Sequence, residues 1–414
     1  LIVKLYNNRP ELLPDSNGHH NSIYYNPLID NIMKIIFKTM LGVAAAALMH
    51  SCATAPTQTL SGLTRDKFVA EINGKPTDLY TLTNANGMEV CVTNLGGRIV
   101  SVMVPDRNGE MKDVVLGFDN VANYADKVNS PSDFGASIGR YANRINKGII
   151  VIDGEAVQLP QNNFGHCLHG GPDGWQYQVY EAVQTDESTV VLTMESPDGD
   201  ANFPGAVTAT VTMKVTDDNA IDIRYEAVTD KKTVINMTNH TYFNLSGDPA
   251  RRVDDQILQI NADNYTPVDF TFMTTGEILP VEGTPMDFRQ PVAIGQDIKN
   301  FDFQQIKFGN GFDHNWCLNT AGDDTQVAAR AYCPETGICL EMFTDEPGVQ
   351  FYSGNFLDGS VTGKKGIVYQ QSTGFCLETQ KYPDTPNKPE WPSAFLEPGQ
   401  KYSSHCVYRF SVVE

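Results

Sequence analysis

Positive charge is scarce in this chain. Lys and Arg number 30 against 50 Asp and Glu, so the 414 residues carry a formal charge of −20 at neutral pH. A nucleic-acid binder needs a basic footprint to neutralise phosphates, and an anionic membrane surface attracts basic segments. The balance therefore excludes both as partners. Long apolar runs are also missing: none reaches the roughly 18 residues that a membrane-spanning helix needs. No stretch of about 12 residues keeps a clean 3.6-residue apolar period, which leaves no crossover helices for a parallel sheet. There is no internal repeat, no Cys-x-x-Cys pair to hold a structural zinc, and no Gly-rich loop to cradle a phosphate. Charged residues make up only 19% of the chain while 41% are hydrophobic and 10% aromatic. That composition is far from a disordered one and is ample for a large core.

The N-terminal segment reads as an address. Residues 1–32 lack an initiating Met and are rich in Asn and Pro, as expected of an upstream extension with Met33 as the true start. Residues 33–52 have the layout of a signal peptide: basic Lys34 and Lys38, the apolar run Met40 to Met49, then small residues and Cys52. Cys52 after Ser51 matches a lipoprotein cleavage site loosely, and an ordinary secretory cut near Ala53 is the alternative. Residues 53–64 read as a tether and 65–414 as the folded domain. The expectation is an exported protein, periplasmic or anchored by a lipid on Cys52, and a cytoplasmic one if the signal does not operate. Of the eight Cys, Cys333 and Cys339 flank a short turn and are candidates for a disulfide; two unpaired thiols are the alternative.

The body of the chain alternates with period two. Val207 to Val215 alternates, Asp217-Asp218-Asn219 breaks the pattern, and Ile221 to Val228 resumes it, which predicts a hairpin. Thr189 to Met194, Ile149 to Ile152, Cys339 to Phe343 and Val349 to Tyr352 are short and β-branched, bounded by turn residues. The predicted class is all-β: one large antiparallel β-sandwich or barrel, with a small-ligand site where polar loops converge on it.

Polar and aromatic residues gather in five segments. Gly139-Arg140-Tyr141-Ala142-Asn143-Arg144-Ile145 offers guanidinium forks and an amide, suited to sugar hydroxyls or a carboxylate, or to a structural ion pair. His166-Cys167-Leu168-His169-Gly170-Gly171 combines two imidazoles with a glycine pair that permits a sharp turn, or is one loop His and one packed His. Asn239-His240-Thr241-Tyr242-Phe243-Asn244-Leu245 places an imidazole in an aromatic strand, either as a core group or as an acid that titrates near neutrality. Gly311-Phe312-Asp313-His314-Asn315 reads as a turn with Asp313 in an Asx role. In Phe375-Cys376-Leu377-Glu378-Thr379-Gln380, the apolar residues before Glu378 would desolvate it and raise its pKa; a rim salt bridge is the alternative. Pro383 to Pro389 reads as an extended loop.

In this order the five segments resemble those of the aldose 1-epimerase (galactose mutarotase) family, over about residues 65–414. Thr344 to Tyr352 and the Pro-rich loop after Tyr382 share the likeness. The resemblance implies a galactose mutarotase-like supersandwich that interconverts the α and β anomers of free aldohexoses. It implies Glu378 as general base toward the C1 hydroxyl and His240 as general acid toward the ring oxygen. Asn143, Arg144, His169 and Asp313 would contact the sugar, and Tyr242 would line the site. No cofactor is required by this chemistry and no metal site is expected. Ca²⁺, carried by some bacterial relatives, would be non-catalytic, because the chain has no EF-hand-like spacing. The partner is then a small aldohexose, and the chain acts as a monomer. Two other classes compete: a glycoside hydrolase with Asp313 and Glu378 as its carboxylate pair, and a non-catalytic carbohydrate-binding lipoprotein. A phosphorylated-sugar epimerase would want an extra basic cluster.

Overall fold

The computed structural model describes residues 58–130 and 132–413. The expected upstream extension, the signal peptide and residues 53–57 of the tether lie outside the described residues. The rest of that tether is not free chain. Residues 58–64 turn back on themselves through Leu63 N–H to Thr59 Oγ1 (3.0 Å), and Leu60 N–H donates to Glu89 Oε1 (2.8 Å). Leu63 is buried in a cluster with Phe68, Leu79 and Cys91. The packed structure therefore begins before residue 65, held by these hydrogen bonds together with the burial of Leu63.

Every pairing between the strands of the described residues is antiparallel, as the missing crossover helices require. The largest sheet has nine strands, in the order Glu181–Asp186, Thr189–Ser196, Val207–Val215, Ala220–Thr229, Tyr402–Val412, Ile338–Thr344, Ala329–Tyr332, Ile257–Ile260 and Val292–Ala293. The predicted hairpin is at its centre, with Val207 opposite Thr229 and Val215 opposite Ile221. Along Val207–Val215 the odd-numbered residues are buried and the even ones largely are not, the signature of a sheet with one face on the core.

Two smaller sheets share that core. One has four strands (Leu79–Thr83, Glu89–Thr93, Arg98–Pro105, Met111–Asp113) and the other five (Leu279–Pro280, Asn264–Thr266, Asp313–Cys317, Gly348–Tyr352, Cys376–Gln380). Val90, Val92 and Val102 from the first, and Trp316, Val349, Phe351 and Leu377 from the second, join Val190, Val211, Ile223 and Tyr408 of the nine-stranded sheet in one apolar cluster. This is the layering of a large β-sandwich. The short helices Val121–Ala125 and Gln304–Gly309 were not expected from the sequence; each spans about one turn, too short to show a period. The Pro-rich loop is also tighter than an extended segment. It turns in a 3₁₀ helix over Thr385–Asn387, with Asp384 taking hydrogen bonds from Asn146 N–H (2.9 Å) and Asn387 Nδ2 (2.7 Å) and pairing with Lys388 (2.8 Å).

Candidate active site

The second face of the five-stranded sheet builds the floor of a cleft. Strand register puts Asp313, Tyr352 and Cys376 on one rung and Asn315, Gln350 and Glu378 two rungs along, on the same face. Side chains alternate across a strand. Leu377, Phe351 and Trp316 therefore enter the core while their neighbours Glu378, Tyr352 and Asp313 line a cleft of about 520 Å³. Both faces of Cys376–Gln380 are thus buried.

Glu378 has no more than 2% of its side chain exposed, and one carboxylate oxygen, Oε2, has no hydrogen-bond partner. Burial first, then the like charges of Asp313 and Asp133, push its pKa well above the ordinary range, against the pull of Arg144. The rim salt bridge is therefore not what this residue makes. Its other oxygen, Oε1, lies 3.5 Å from His240 Nε2.

His240 ends the short strand Thr238–His240, which pairs with Ala136–Ile138. Its ring stacks on Tyr242 (centroids 5.1 Å apart, planes at 23°) and meets His169 edge-on at 5.3 Å. Nδ1 is 3.4 Å from Cys376 Sγ. Desolvation lowers the His240 pKa, which makes its conjugate acid a readier proton donor.

His169 and Asn143 clamp each other. The Asn143 N–H donates to His169 Nδ1 and the His169 N–H donates to the Asn143 carbonyl, both at 3.1 Å. Both residues sit at positive φ, 62° and 50°, a conformation non-glycine residues rarely hold without a purpose. A Cβ at Gly170 would strike the Gly139 carbonyl, so the glycine pair is what lets this turn close. Because Nδ1 accepts the hydrogen bond from Asn143, neutral His169 must carry its proton on Nε2, and burial holds its pKa well below the usual value. His169 is therefore a fixed hydrogen-bond donor.

The two arginines separate by role. Arg140 is 2% exposed and spends its guanidinium on the carbonyls of Pro204 and Gly205 and on Ser196 Oγ, a structural assignment. Arg144 faces the cleft: Nε and Nη2 share Asn163 Oδ1 (3.1 and 3.0 Å), and its charge lies over the Phe272 ring. Asp313 opens the strand Asp313–Cys317, where a turn was expected, and accepts from Gln350 Nε2 at 2.7 Å. Desolvation raises its pKa, and Arg144 opposes the rise.

All seven residues singled out from the sequence, Glu378, His240, Asn143, Arg144, His169, Tyr242 and Asp313, thus line one cleft. The sequence reading missed Asp133, whose Oδ1 is buried without a partner, and Gln350. Asp133 follows a Pro-Ser pair in a loop with no motif to mark it. Gln350 was readable only as the even position of a recognised strand.

Gly135-Ala136-Ser137-Ile138-Gly139 also fits the spacing of a nucleophile elbow. Ser137 is fully buried in a strand and donates to the Gly97 carbonyl at 2.7 Å, so it is no nucleophile.

Two side-chain groups among the described residues bring metal-type ligands together: Asp133 with His169 and His240, and His240 with Cys376 and Glu378. In the first, His169 has one nitrogen engaged and the other protonated, leaving no lone pair for an ion. Neither group is the oxygen cage that Ca²⁺ takes.

The family model described as aldose 1-epimerase matches residues 78–409. Human galactose mutarotase is 40% identical over 325 residues, 78% of this chain and 92% of the human one. The aldose 1-epimerase of Escherichia coli K12 is 39% identical over 342 residues, 82% and 96% of the two chains. Among solved structures, the GalM/aldose epimerase homologue from C. elegans superposes with a TM-score of 0.75 at 30% identity, covering 82% of this chain and all of that one. Galactose 1-epimerase from Lactobacillus acidophilus gives 0.72 at 30% identity, covering 83% and 97%.

Proposed function

The chain belongs to the aldose 1-epimerase family, and from that premise we propose that Glu378 and His240 carry its reaction as general base and general acid. It is an isomerase that interconverts the anomers of aldohexoses such as galactose and glucose. In the proposed cycle Glu378 takes the proton from the C1 hydroxyl while His240 gives one to the ring oxygen. The C1–O5 bond breaks, and C1 becomes an aldehyde. Rotation about C1–C2 presents its other face. On closure His240 recovers the proton from the C5 hydroxyl and Glu378 returns its own to O1, so both groups end as they began.

The observation that carries this reading is the 3.5 Å approach of Glu378 Oε1 to His240 Nε2. Two groups that close together reach the two oxygens of a single hemiacetal carbon. Their environments drive the transfer the same way: the base is made stronger by burial and neighbouring carboxylates, and the acid is made stronger by burial. His169 presents its Nε2–H to a sugar oxygen, Asp313 accepts hydroxyls, and Asn143 and Arg144 complete the grip. The reaction needs no cofactor, and Ca²⁺ has no part in these transfers. We expect Glu378→Gln and His240→Asn each to lower kcat by about 10² to 10⁴ in polarimetry of fresh α-galactose, with the far-UV spectrum unchanged. A variant within twofold of the parent would sink the assignment.

We propose that the chain acts as a monomer. We further propose that the chain is exported and anchored through Cys52, on the pattern of residues 33–52. Among the described residues no helix is long and apolar enough to cross a membrane. Cys52→Ser should move the protein from the membrane fraction to the soluble one; an unchanged distribution would refute the anchor.

A further inference from the structure

One carboxylate in the cleft takes no part in the proton transfers. Asp133 lines the same cleft as Glu378 and His240, and its Oδ1 is buried without a hydrogen-bond partner. A buried acceptor left unpaired costs stability and calls for a reason. Arg98 does not fill the need: its buried guanidinium feels the Asp133 charge but donates to the carbonyls of Phe134 (2.9 Å) and Gln176 (2.8 Å). The backbone around Asp133 is nonetheless fixed. Its carbonyl accepts from Ala136 N–H, and Gly135 N–H donates to the His240 carbonyl, both at 3.0 Å. These bonds lead into the pairing of Ala136–Ile138 with Thr238–His240, which holds Asp133 beside the acid.

Polar side-chain atoms of Asp133, His169 and His240 lie within 4.8 Å of one another, and among the described residues no hydrogen bond or ion pair joins this carboxylate to either ring. Two hydrogen bonds of about 2.8 Å that meet at one tetrahedral oxygen span about 4.6 Å. The gap between Asp133 and His169 therefore fits a single bridging oxygen. His169 offers that oxygen a donor, Nε2–H, because Nδ1 is occupied by the Asn143 N–H. Asp133 offers it an acceptor, which is all a carboxylate can be. The sugar oxygen that accepts from one and donates to the other is a hydroxyl; a ring oxygen or a carbonyl has no proton to give.

We propose that Asp133 is a specificity-determining residue that, with His169, holds the C6 hydroxyl, so that the protein prefers aldohexoses to 6-deoxyhexoses. The proposal rests on the epimerase reading, which puts His240 at the ring oxygen. Two carbons flank that oxygen. C1 carries the hydroxyl assigned to Glu378, and Glu378 groups with His240 and Cys376, not with Asp133. C5 carries the hydroxymethyl group, so the hydroxyl that reaches a gap beside His240 on the Asp133 side is the one on C6. A site built to pair with a hydroxyl rejects the analogue that lacks it, because its buried polar groups are then left without partners. Asp133 also acts at a distance: burial lowers the His240 pKa, and the Asp133 charge is the first influence opposing it. That effect is the same for every sugar, whereas a contact to one hydroxyl is not.

The test measures kcat/KM by polarimetry for galactose, 6-deoxygalactose and 2-deoxygalactose in the parent, Asp133→Ala and Asp133→Asn. The parent should prefer galactose to 6-deoxygalactose by about tenfold or more. Asp133→Ala should reduce that preference about tenfold and leave the ratio of galactose to 2-deoxygalactose unchanged. Asp133→Asn keeps an acceptor without the charge and should fall between the two; it also serves if Asp133→Ala does not fold, with far-UV spectra to check each variant. A parent indifferent to the C6 hydroxyl overturns the proposal. So does an equal loss on all three sugars, the mark of a charge acting only through His240 or Arg98, and so does a change confined to the 2-deoxygalactose ratio. A parent inactive on every sugar would overturn the epimerase reading itself, and this inference with it.

Discussion

Asp313 stands in two relations to Glu378, and they make opposite demands. As an acceptor it holds substrate; as a like charge it is the second cause, after burial, of the raised Glu378 pKa. The base must be ionised to act, so kcat/KM should rise with pH through that raised pKa. Asp313→Asn removes the charge but keeps the shape, and the acid limb of the profile should move to lower pH while KM for hexose rises. A limb that stays in place would show that desolvation alone sets the pKa. The reacting pair was named by the resemblance of the five ordered segments, since each member taken alone read equally as a structural group, although the apolar Phe375 to Leu377 announced the burial of Glu378. What the sequence withheld was assembly. Nothing in the chain order says that Asp133 approaches His169 and His240, or that His169 is locked as a donor by a backbone N–H from Asn143. Such contacts depend on loop conformations that no period encodes.

Alternation marked the strands with one face toward water, while among strands buried throughout only segments rich in β-branched and aromatic residues, such as Val349 to Tyr352, were readable. Val207–Val215 alternates and was predicted to the residue; Cys376–Gln380 and Thr238–His240, buried on both faces, show no alternation and read only as motifs. The strand Tyr402–Val412 adds a titratable seam to the outer face of the nine-stranded sheet. His405 lies opposite Arg224, with Nε2 3.2 Å from Asp222 Oδ1 and Nδ1 2.6 Å from Asp324 Oδ2, while its N–H donates to Asp345. The hydrogen bond to Asp222 is the largest cause raising its pKa; that to Asp324 adds to it, and burial and Arg224 oppose it. A histidine whose pKa is higher in the folded state contributes stability that is complete below the unfolded value of about 6.5 and is lost as pH climbs through the folded one. The urea midpoint should therefore decline above about pH 6.5, and His405→Gln should flatten that part of the curve while lowering the midpoint at pH 6. Parallel curves for the two proteins would mean that the clamp is too solvated to matter.

At the scale of the whole molecule, stability comes from burial, and among the described residues no two cysteines are cross-linked. Cys91, Cys167, Cys317, Cys333, Cys339, Cys376 and Cys406 are all buried and unpaired. Cys333 and Cys339 end up on adjoining strands without bridging: Cys339 is opposite Tyr332, and its sulfur accepts from Arg330 Nε at 3.2 Å. Between the two alternatives left by the sequence, the paired thiols give way to the unpaired ones. A domain of this length buries most of its unfolded surface and does not need the staples that small exported domains do. Four of these thiols are also chemically quiet, because desolvation pushes Cys91 and Cys317 up to about 11 and Cys167 and Cys406 up to about 12, leaving almost no thiolate near neutrality. Ellman's reagent applied to Cys52→Ser should accordingly find no reactive thiol in the native protein and all seven after unfolding without reductant. A count of five in the unfolded state would mean that one pair, with Cys333–Cys339 the first candidate, had oxidised. Thermal unfolding recorded with and without dithiothreitol would then part, whereas a reduced core gives one midpoint in either buffer, whichever compartment the protein matures in.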